Sequence, residues 1–167
     1  MILLTDVHYP PLSGAWAAGL LCERWDDPSP TSEQLVFVPE VAAYEPGQFY
    51  RRELPCLLAL LHTLPEAPEV IVVDGHAWLN GRPGLGARLH EATGLPVVGV
   101  AKRRFFEGDA LPHLRGGSQS PLYVSAAGMT AEEALANVSS MHGPHRLPTL
   151  LKRVDRLCRD AAEAPHA

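Results

Sequence analysis

Two aspartates in this chain of 167 residues stand directly after short apolar runs. Asp6 follows residues 1–5, and Asp74 follows residues 70–73. Apolar runs of this length predict strands that are buried on both faces. A carboxylate at the carboxyl end of such a strand lies where open α/β sheets bind ligands, and carboxylate oxygens are the ligands that Mg²⁺ prefers. The two aspartates therefore predict a site that holds Mg²⁺ against a phosphate.

Two further acids lie on predicted helices. Glu53 is within residues 48–63 and Asp155 is within residues 147–162, and both segments carry apolar residues at helical spacing. Each acid alone has an ordinary alternative role. An aspartate after a strand is often a turn former or an N-cap, and most acids on amphipathic helices are solvated. The combination of two strand ends and two helices favours a shared site.

Any binding of nucleic acid has to use local basic patches, because the net charge is −5 and the isoelectric point is about 5.9. Three patches are candidates: Arg51-Arg52, Lys102-Arg103-Arg104, and Lys152-Arg153 with Arg156 and Arg159. Each could also be a solvated helix face. All three adjoin segments that carry the acids, which favours an anionic substrate near a metal.

Cysteine content and hydropathy exclude several classes of protein. The three cysteines form no CxxC pair and no cluster with histidine, so neither a disulfide framework nor a zinc site is expected. The eight histidines are scattered, and only His76, close after Asp74, is singled out. No signal sequence and no membrane span is recognisable. We expect a cytoplasmic protein with one domain, residues 1–164, and a short tail, residues 165–167.

The order of predicted elements indicates an α/β fold. Strands are predicted at residues 1–5, 15–25, 34–38, 70–73, 96–100 and 122–125, helices at 48–63, 85–93 and 147–162 and after an N-cap at Thr130, and a loop at 107–120. The first three strands form an antiparallel meander, and the alternation of strands and helices that follows predicts parallel crossovers. This layout resembles ribonuclease H-like domains, which have a mixed central sheet with helices on both faces.

Four stretches resemble the endonuclease V family, in the order in which that family has them. They are TDVHY at 5–9, YEPGQFYRRE at 44–53, VVDGH at 72–76 and VVGVAKRRF at 97–105. The tripeptide RLP at 146–148 extends the similarity to the last predicted helix. The resemblance covers nearly the whole chain and implies a nuclease that cuts nucleic acid next to inosine.

The resemblance also implies roles for the acids. Asp6 and Asp74 would bind Mg²⁺ directly, and Glu53 and Asp155 would hold a second ion or its waters, with Mn²⁺ as a substitute. The metal would activate the attacking water and stabilise the leaving 3′-oxygen. Lys102 would neutralise the phosphate and completes the implied catalytic set of Asp6, Glu53, Asp74 and Lys102.

Residues for base recognition are implied in the same way. Tyr44, followed by Pro46 and Gly47, would form a wedge that fills the gap left by a displaced base. Gly75 and His76 would lie at the base pocket together with Gly47. Without the resemblance, Tyr44 is an ordinary surface aromatic and Gly75 belongs to a plain turn.

The chain departs from the family pattern outside the four carboxylates. The family has more chain before its first strand, so we expect an N-terminal helix and part of the DNA-binding surface to be absent. Asn80 stands in the segment where the family has a second histidine, and Ala126-Ala127 replaces a Ser-Pro-Gly segment. Glu45 puts a negative charge in the wedge, where it would repel phosphates.

Together with the predicted acidic site, the resemblance implies a Mg²⁺-dependent endonuclease that hydrolyses a phosphodiester on the 3′ side of deoxyinosine or inosine in DNA repair. One alternative is a shortened, weakly active or inactive relative that binds nucleic acid. The other is a ribonuclease H-like nuclease with a different substrate, such as a branched or single-stranded structure.

Overall fold

The first three strands form the predicted antiparallel meander. In the computed structural model, which describes residues 1–106 and 108–164, β1 (Ile2–His8) pairs with β2 (Ala15–Cys22), and β2 pairs with β3 (Ser32–Val38). Strand β2 ends three residues before the predicted end at residue 25, because the chain turns where the Asp27 carboxylate accepts hydrogen bonds from the backbone N–H groups of Glu23 and Arg24.

The parallel part of the sheet begins at β1. This strand also pairs in parallel with β4 (Val70–Asp74), and β4 pairs in parallel with β7 (Val97–Ala101). Helices α1 (Tyr50–His62) and α2 (Leu85–Thr93) lie in the connections that precede β4 and β7. The α/β fold with a mixed sheet is confirmed.

The far edge of the sheet is again antiparallel. Strand β9 (Leu122–Ala127) pairs with β7, and the short edge strand β8 (Leu111–His113) pairs with β9. The seven-stranded sheet has the order β3-β2-β1-β4-β7-β9-β8. The prediction of an uninterrupted loop at 107–120 was wrong over β8, whose three residues include a proline and carry no periodic pattern. Residue 107, like the predicted tail at 165–167, lies outside the described residues.

A small hairpin follows β4. Strands β5 (Trp78–Leu79) and β6 (Arg82–Pro83) pair around Asn80 and Gly81, whose φ angles are +52° and +72°. Left-handed conformations at both central residues are typical of the tight hairpin turns in which Asn-Gly is favoured. The sequence analysis treated this segment only as a departure from the family pattern, although the Asn-Gly pair is itself a hairpin signal.

Helices cover both faces of the seven-stranded sheet. Helices α3 (Ala131–Ser139) and α4 (Thr149–Glu163) contribute to one hydrophobic core, and α1 and α2 contribute to the other. The side chain of Thr130 accepts a hydrogen bond from the backbone N–H of Glu133 and caps α3, as predicted. Within the described residues, no helix combines the length and the apolar character needed to cross a membrane.

Alternation along β1 decides which side chains reach each layer. Leu4 packs in the core beneath α4, and Leu3 and Val7 pack in the core beneath α1. Because successive side chains of a strand point to opposite faces, Asp6 and His8 lie on the α4 side. Tyr9, the residue after the strand, packs against the core beneath α1.

Gly99 in β7 lets the loop after β4 approach the sheet. A Cβ at this position would lie 2.6 Å from the carbonyl oxygen of Gly75, 2.8 Å from the Ser125 hydroxyl and 2.9 Å from the backbone nitrogen of Ala77. The Ser125 hydroxyl also accepts a hydrogen bond from the N–H of Ala77, at 2.9 Å. The loop that follows Asp74 therefore packs directly against β7 and β9, and position 99 has no room for a side chain.

We predict that Gly99→Ala destabilises the protein and displaces this loop. Two of the three contacts are with backbone atoms, which cannot turn away, so overpacking should cost about 1–3 kcal/mol of unfolding free energy. Urea unfolding measures this change. An unfolding midpoint equal to that of the parent protein would contradict the close approach described above.

Candidate functional site

Asp6 and Asp74 lie beside each other at one end of the sheet. Leu4 and Val72 are register partners in the parallel pairing of β1 and β4, and the two aspartates stand two residues further along these strands. Both aspartates line a small cavity of about 30 Å³ together with Lys102 and Asp155. Strand ends and the first turns of α4 thus bring four of the predicted residues to one place.

His8 joins two of these carboxylates. Its Nε2 atom lies 3.2 Å from Oδ2 of Asp6 and 2.9 Å from Oδ1 of Asp155. One ligand atom from each of the three residues lies within 4.8 Å of the others, so among the described residues this group is close enough to hold a metal ion. Hydrogen bonding to Asp6 is the largest influence that raises the pKa of His8, to about 9.

The sequence analysis missed His8. The signal was its spacing of two residues from Asp6 on a strand, which places both side chains on the same face of the sheet. That face is the one covered by α4, where Asp155 lies.

The two aspartates bonded to His8 have opposite pKa shifts. Burial is the main cause that raises the pKa of Asp6, which is 6% exposed. Partial burial acts in the same sense on Asp155, but the hydrogen bond from His8 and the guanidinium of Arg159 outweigh it and lower the pKa of Asp155. Asp155 therefore supplies a stable negative charge at the open side of the group.

Glu53 reaches the site from the opposite layer. It lies on α1, is 5% exposed, and accepts a hydrogen bond from the Tyr9 hydroxyl. Burial, followed by the negative charges of Asp6 and Asp74, raises the pKa of Glu53 to about 8. Glu53 is an electrostatic neighbour of the two aspartates but is outside the close group that contains His8.

Asp74 is the acid most open to solvent, and it too is outside that close group. Desolvation by its neighbours and the charge of Asp6 raise the pKa of Asp74, while Lys102 acts in the opposite sense. Lys102 itself is exposed, and its backbone carbonyl accepts a hydrogen bond of 2.7 Å from the Arg146 guanidinium. Arg146 also donates to the carbonyls of Ser120 and Pro121, so it fixes the backbone that carries Lys102.

A second cavity, of about 470 Å³, lies beside the acidic one. Asp74 and Lys102 line both cavities. The lining of the larger cavity includes four of the residues implied in base recognition, Tyr44, Gly47, Gly75 and His76. Pro46 is not part of that lining.

Aromatic side chains from the segment after β7 complete the larger cavity. Phe105 and Phe106 line it, and the ring of Phe105 packs edge-on to His76 with 5.2 Å between ring centroids. Because the Arg103 carbonyl can only accept, Nε2 of His76 donates to it, at 2.7 Å. The Nδ1 atom of His76 is buried and has no hydrogen-bond partner within the described part of the chain. The stretch at 97–105 ends at Phe105, but neither phenylalanine was predicted as a site residue, because both lie in an irregular segment.

The three predicted basic patches have different surroundings. The Arg52 guanidinium stacks on the Tyr9 ring at 3.9 Å from its centroid, and Arg153 pairs with Glu33 at 2.5 Å. The patch Lys102-Arg103-Arg104 opens onto a groove of about 570 Å³, which is lined by these three residues and Arg146 among others. Lys102 lines this groove and both cavities.

Comparison with known proteins decides the family. The profile of the Endonuclease V family matches residues 4–156. The chain belongs to the endonuclease V family. The endonuclease V of Streptomyces avermitilis is 34% identical over 71% of this chain and 61% of the relative, and that of Xanthomonas axonopodis pv. citri is 33% identical over 80% and 66%. The chain thus spans less than two thirds of the length of these relatives.

Solved endonuclease V structures share the fold. The Streptomyces avermitilis enzyme superposes with a TM-score of 0.79 at 31% identity, covering 96% of this chain and 80% of that one. Human ENDOV gives a TM-score of 0.79 at 25% identity, with 96% and 83% covered. A Ciona intestinalis endonuclease V, in complex with a 23mer DNA containing an inosine, gives 0.80 at 17% identity, with 96% and 84% covered.

We predict that Glu53→Gln changes the pH dependence of stability in the metal-free protein. The pKa of Glu53 is about 8 in the folded state against an ordinary value of 4.5. The unfolded chain therefore loses this proton first, and the free energy of unfolding falls as pH rises from about 4.5 to about 8, by at most about 1.4 kcal/mol per pH unit. Glutamine removes this contribution.

Urea unfolding in the presence of EDTA, at several pH values across this window, measures the difference. Glu91→Gln on the exposed side of α2 is the matched control and should keep the parent slope. A Glu53→Gln slope identical to that of the parent protein would show that the Glu53 carboxyl is not held protonated by its surroundings.

Proposed function

We propose that this chain is a metal-dependent endonuclease that hydrolyses a phosphodiester on the 3′ side of deoxyinosine or inosine, in DNA repair. The observation that carries the proposal is that Asp74 and Lys102 line both the acidic cavity and the larger cavity. A group bound in the larger cavity would therefore have its adjoining phosphate next to the acids. The presence of inosine in the DNA bound to the Ciona intestinalis relative supports the same assignment.

The donor set fits Mg²⁺. Asp6 and Asp74 would bind the ion directly, and Glu53 and Asp155 would hold a second ion or its waters, because Mg²⁺ takes carboxylate and water oxygens. Burial is the largest cause that raises the pKa of Asp6, Glu53 and Asp74, and a divalent cation at this site would favour their charged forms. When bound, the ion supplies a water of lowered pKa and stabilisation of the leaving 3′-oxygen.

The chain's own residues hold the reacting groups in place. Lys102 lies at the junction of the two cavities and would neutralise the scissile phosphate, with its backbone fixed by Arg146. The Tyr9 hydroxyl orients Glu53. Orientation by such surrounding contacts keeps carboxylates aimed at one point despite their repulsion.

The larger cavity suits a displaced base. Its volume of about 470 Å³ is within the usual range of small-molecule sites, and its aromatic lining can stack on a base. The backbone at Gly75 has a φ of +135° and is open on the side where a Cβ would stand, so a base edge can approach the main chain. Tyr44 is 61% exposed at the rim and is placed to act as the wedge.

The charge of Glu45 in the wedge has a partner. Nη1 of Arg51 lies 4.0 Å from the Glu45 carboxylate, and both side chains are exposed. This pairing reduces the repulsion of phosphates that the sequence predicted for Glu45.

We predict that the protein with Mg²⁺ cleaves labelled strands that carry one inosine and that Asp74→Asn lowers the rate by at least about 100-fold, or about 2.7 kcal/mol in activation free energy. Gel separation of single-stranded and duplex substrates measures the rate and the cleavage position. Asp160→Asn, an exposed acid on α4, is the matched control and should keep full activity.

The same assay separates the alternatives. Equal cutting of strands without inosine would indicate a ribonuclease H-like nuclease with another substrate. Tight binding of the inosine strand without cutting would indicate an inactive relative.

We predict that the basic groove carries phosphates of the bound strand. Arg103→Ala should lower the affinity for inosine-containing DNA and reduce the slope of log K against log salt by about 0.7 to 0.9, the value for one lost phosphate contact. Fluorescence anisotropy at several salt concentrations measures both. Arg24→Ala, which removes an exposed arginine paired with Asp26, is the control. An unchanged slope in Arg103→Ala would exclude a phosphate contact at this residue.

A further inference from the structure

His8 occupies an unusual position between two carboxylates. Nε2 lies 3.2 Å from Asp6 and 2.9 Å from Asp155, so both contacts use the same ring nitrogen. Nε2 carries at most one proton, and one N–H cannot point fully at two acceptors. The two carboxylate oxygens and the ring nitrogen lie as close to one another as the ligands of one metal ion do.

The spacing and exposure of the three groups fit that interpretation. One ligand atom from each lies within 4.8 Å of the others, a spacing that a single cation with ligands at about 2.0 to 2.3 Å can span after small adjustments. The exposed fractions of the His8 and Asp155 side chains are 26% and 24%, so an ion can enter from solvent. Asp6 is buried beneath them and provides the fixed end of the group.

We propose that Nε2 of His8 is itself a metal ligand in this site, together with Asp6 and Asp155, and that it shifts the preference of the site from Mg²⁺ toward first-row transition ions such as Mn²⁺ and Co²⁺. The inference rests on the proposed function, since it concerns the ion of the same nuclease site. Mg²⁺ favours an all-oxygen shell, whereas imidazole nitrogen raises affinity for transition ions.

The position of the ring is set by the fold. His8 is the last residue of β1, and the alternation that points Asp6 toward α4 also points His8 there. The Sγ atom of Cys158 lies 3.4 Å from the Asp6 carbonyl and 2.9 Å from the Trp16 carbonyl, so α4 is anchored to β1 and β2 one turn away from Asp155. The nitrogen and both carboxylates are therefore held by regular elements rather than by loops, which keeps a ligand set in place.

The test uses the full chain loaded with Mn²⁺ alone. Pulsed electron paramagnetic resonance of the parent protein should show ¹⁴N modulation from a coordinated imidazole, and histidine labelled with ¹⁵N should change its frequency. His8→Ala should lose this modulation. The matched control His62→Ala, at the exposed end of α1, should retain it.

Calorimetric titration gives a second readout that does not depend on activity. His8→Ala should bind Mn²⁺ and Co²⁺ about 10-fold or more weaker than the parent, with a smaller change for Mg²⁺. His8→Asn, which keeps a polar side chain at the site, should show the same loss, and thermal unfolding checks that both variants are folded.

Three results would overturn the assignment: a parent protein without ¹⁴N modulation, a His8→Ala variant that keeps it, or tighter Mn²⁺ binding in that variant, which would mean that the ring competes with the ion. The proposed function is judged separately, by inosine-directed cleavage that depends on Asp74. If cleavage is present and the nitrogen signal is absent, the His8 assignment fails and the nuclease stands.

Discussion

Repulsion among carboxylates packed at one end of the sheet is the constraint on which the site depends. Asp6 and Glu53 are buried, and Asp74 lies beside them with its side chain open to solvent. Desolvation is the largest cause that raises the pKa of each, and the negative charges of neighbouring acids raise the pKa of Glu53 and Asp74 further. Burying charge without a partner costs free energy, so the remainder of the fold has to hold these groups together. A bound cation would stabilise the charged forms of these carboxylates, and this is why the site fits metal-dependent chemistry.

The two hydrophobic cores, one on each face of the sheet, stabilise the elements that carry these acids. The core beneath α4 fixes the layer that carries Asp155 and the α4 side of β1, and the core beneath α1 fixes Glu53 and Tyr9. Between them, the loop after Asp74 packs closely against Gly99 and donates a hydrogen bond to Ser125. This contact fixes the backbone next to Asp74, which lines both cavities.

Much of this arrangement was predictable from the sequence, because it depends on patterns of short range. Continuous apolar runs located β1, β4 and β7, and the prediction that Asp6 and Asp74 follow two of these runs placed them at one end of the sheet, although β1 continues past Asp6 to His8. The family resemblance is confirmed. Strand β8 and the Asn80-Gly81 hairpin were missed, the first because it is too short for a periodic signal and the second because its turn signal was not used.

Contacts between the sheet and the helices that cover it could not be predicted from short-range sequence patterns. The contact of His8 with Asp155 joins residues far apart in sequence, and it depends on which face of β1 is covered by α4. Likewise, Phe105 and Phe106, which line the larger cavity, lie in an irregular segment. Neither a hydrophobic period nor a turn motif in the sequence predicts the course of the backbone there.

Anomalous X-ray scattering at the manganese edge, from crystals grown with Mn²⁺ and an inosine-containing strand, would show whether the acids at this end of the sheet share a divalent cation beside the base cavity. We expect an anomalous peak within coordination distance of both Asp6 and Asp74, with the inosine base in the larger cavity. A strand bound with its scissile phosphate away from Lys102, or a manganese peak only at other surface acids, would contradict it.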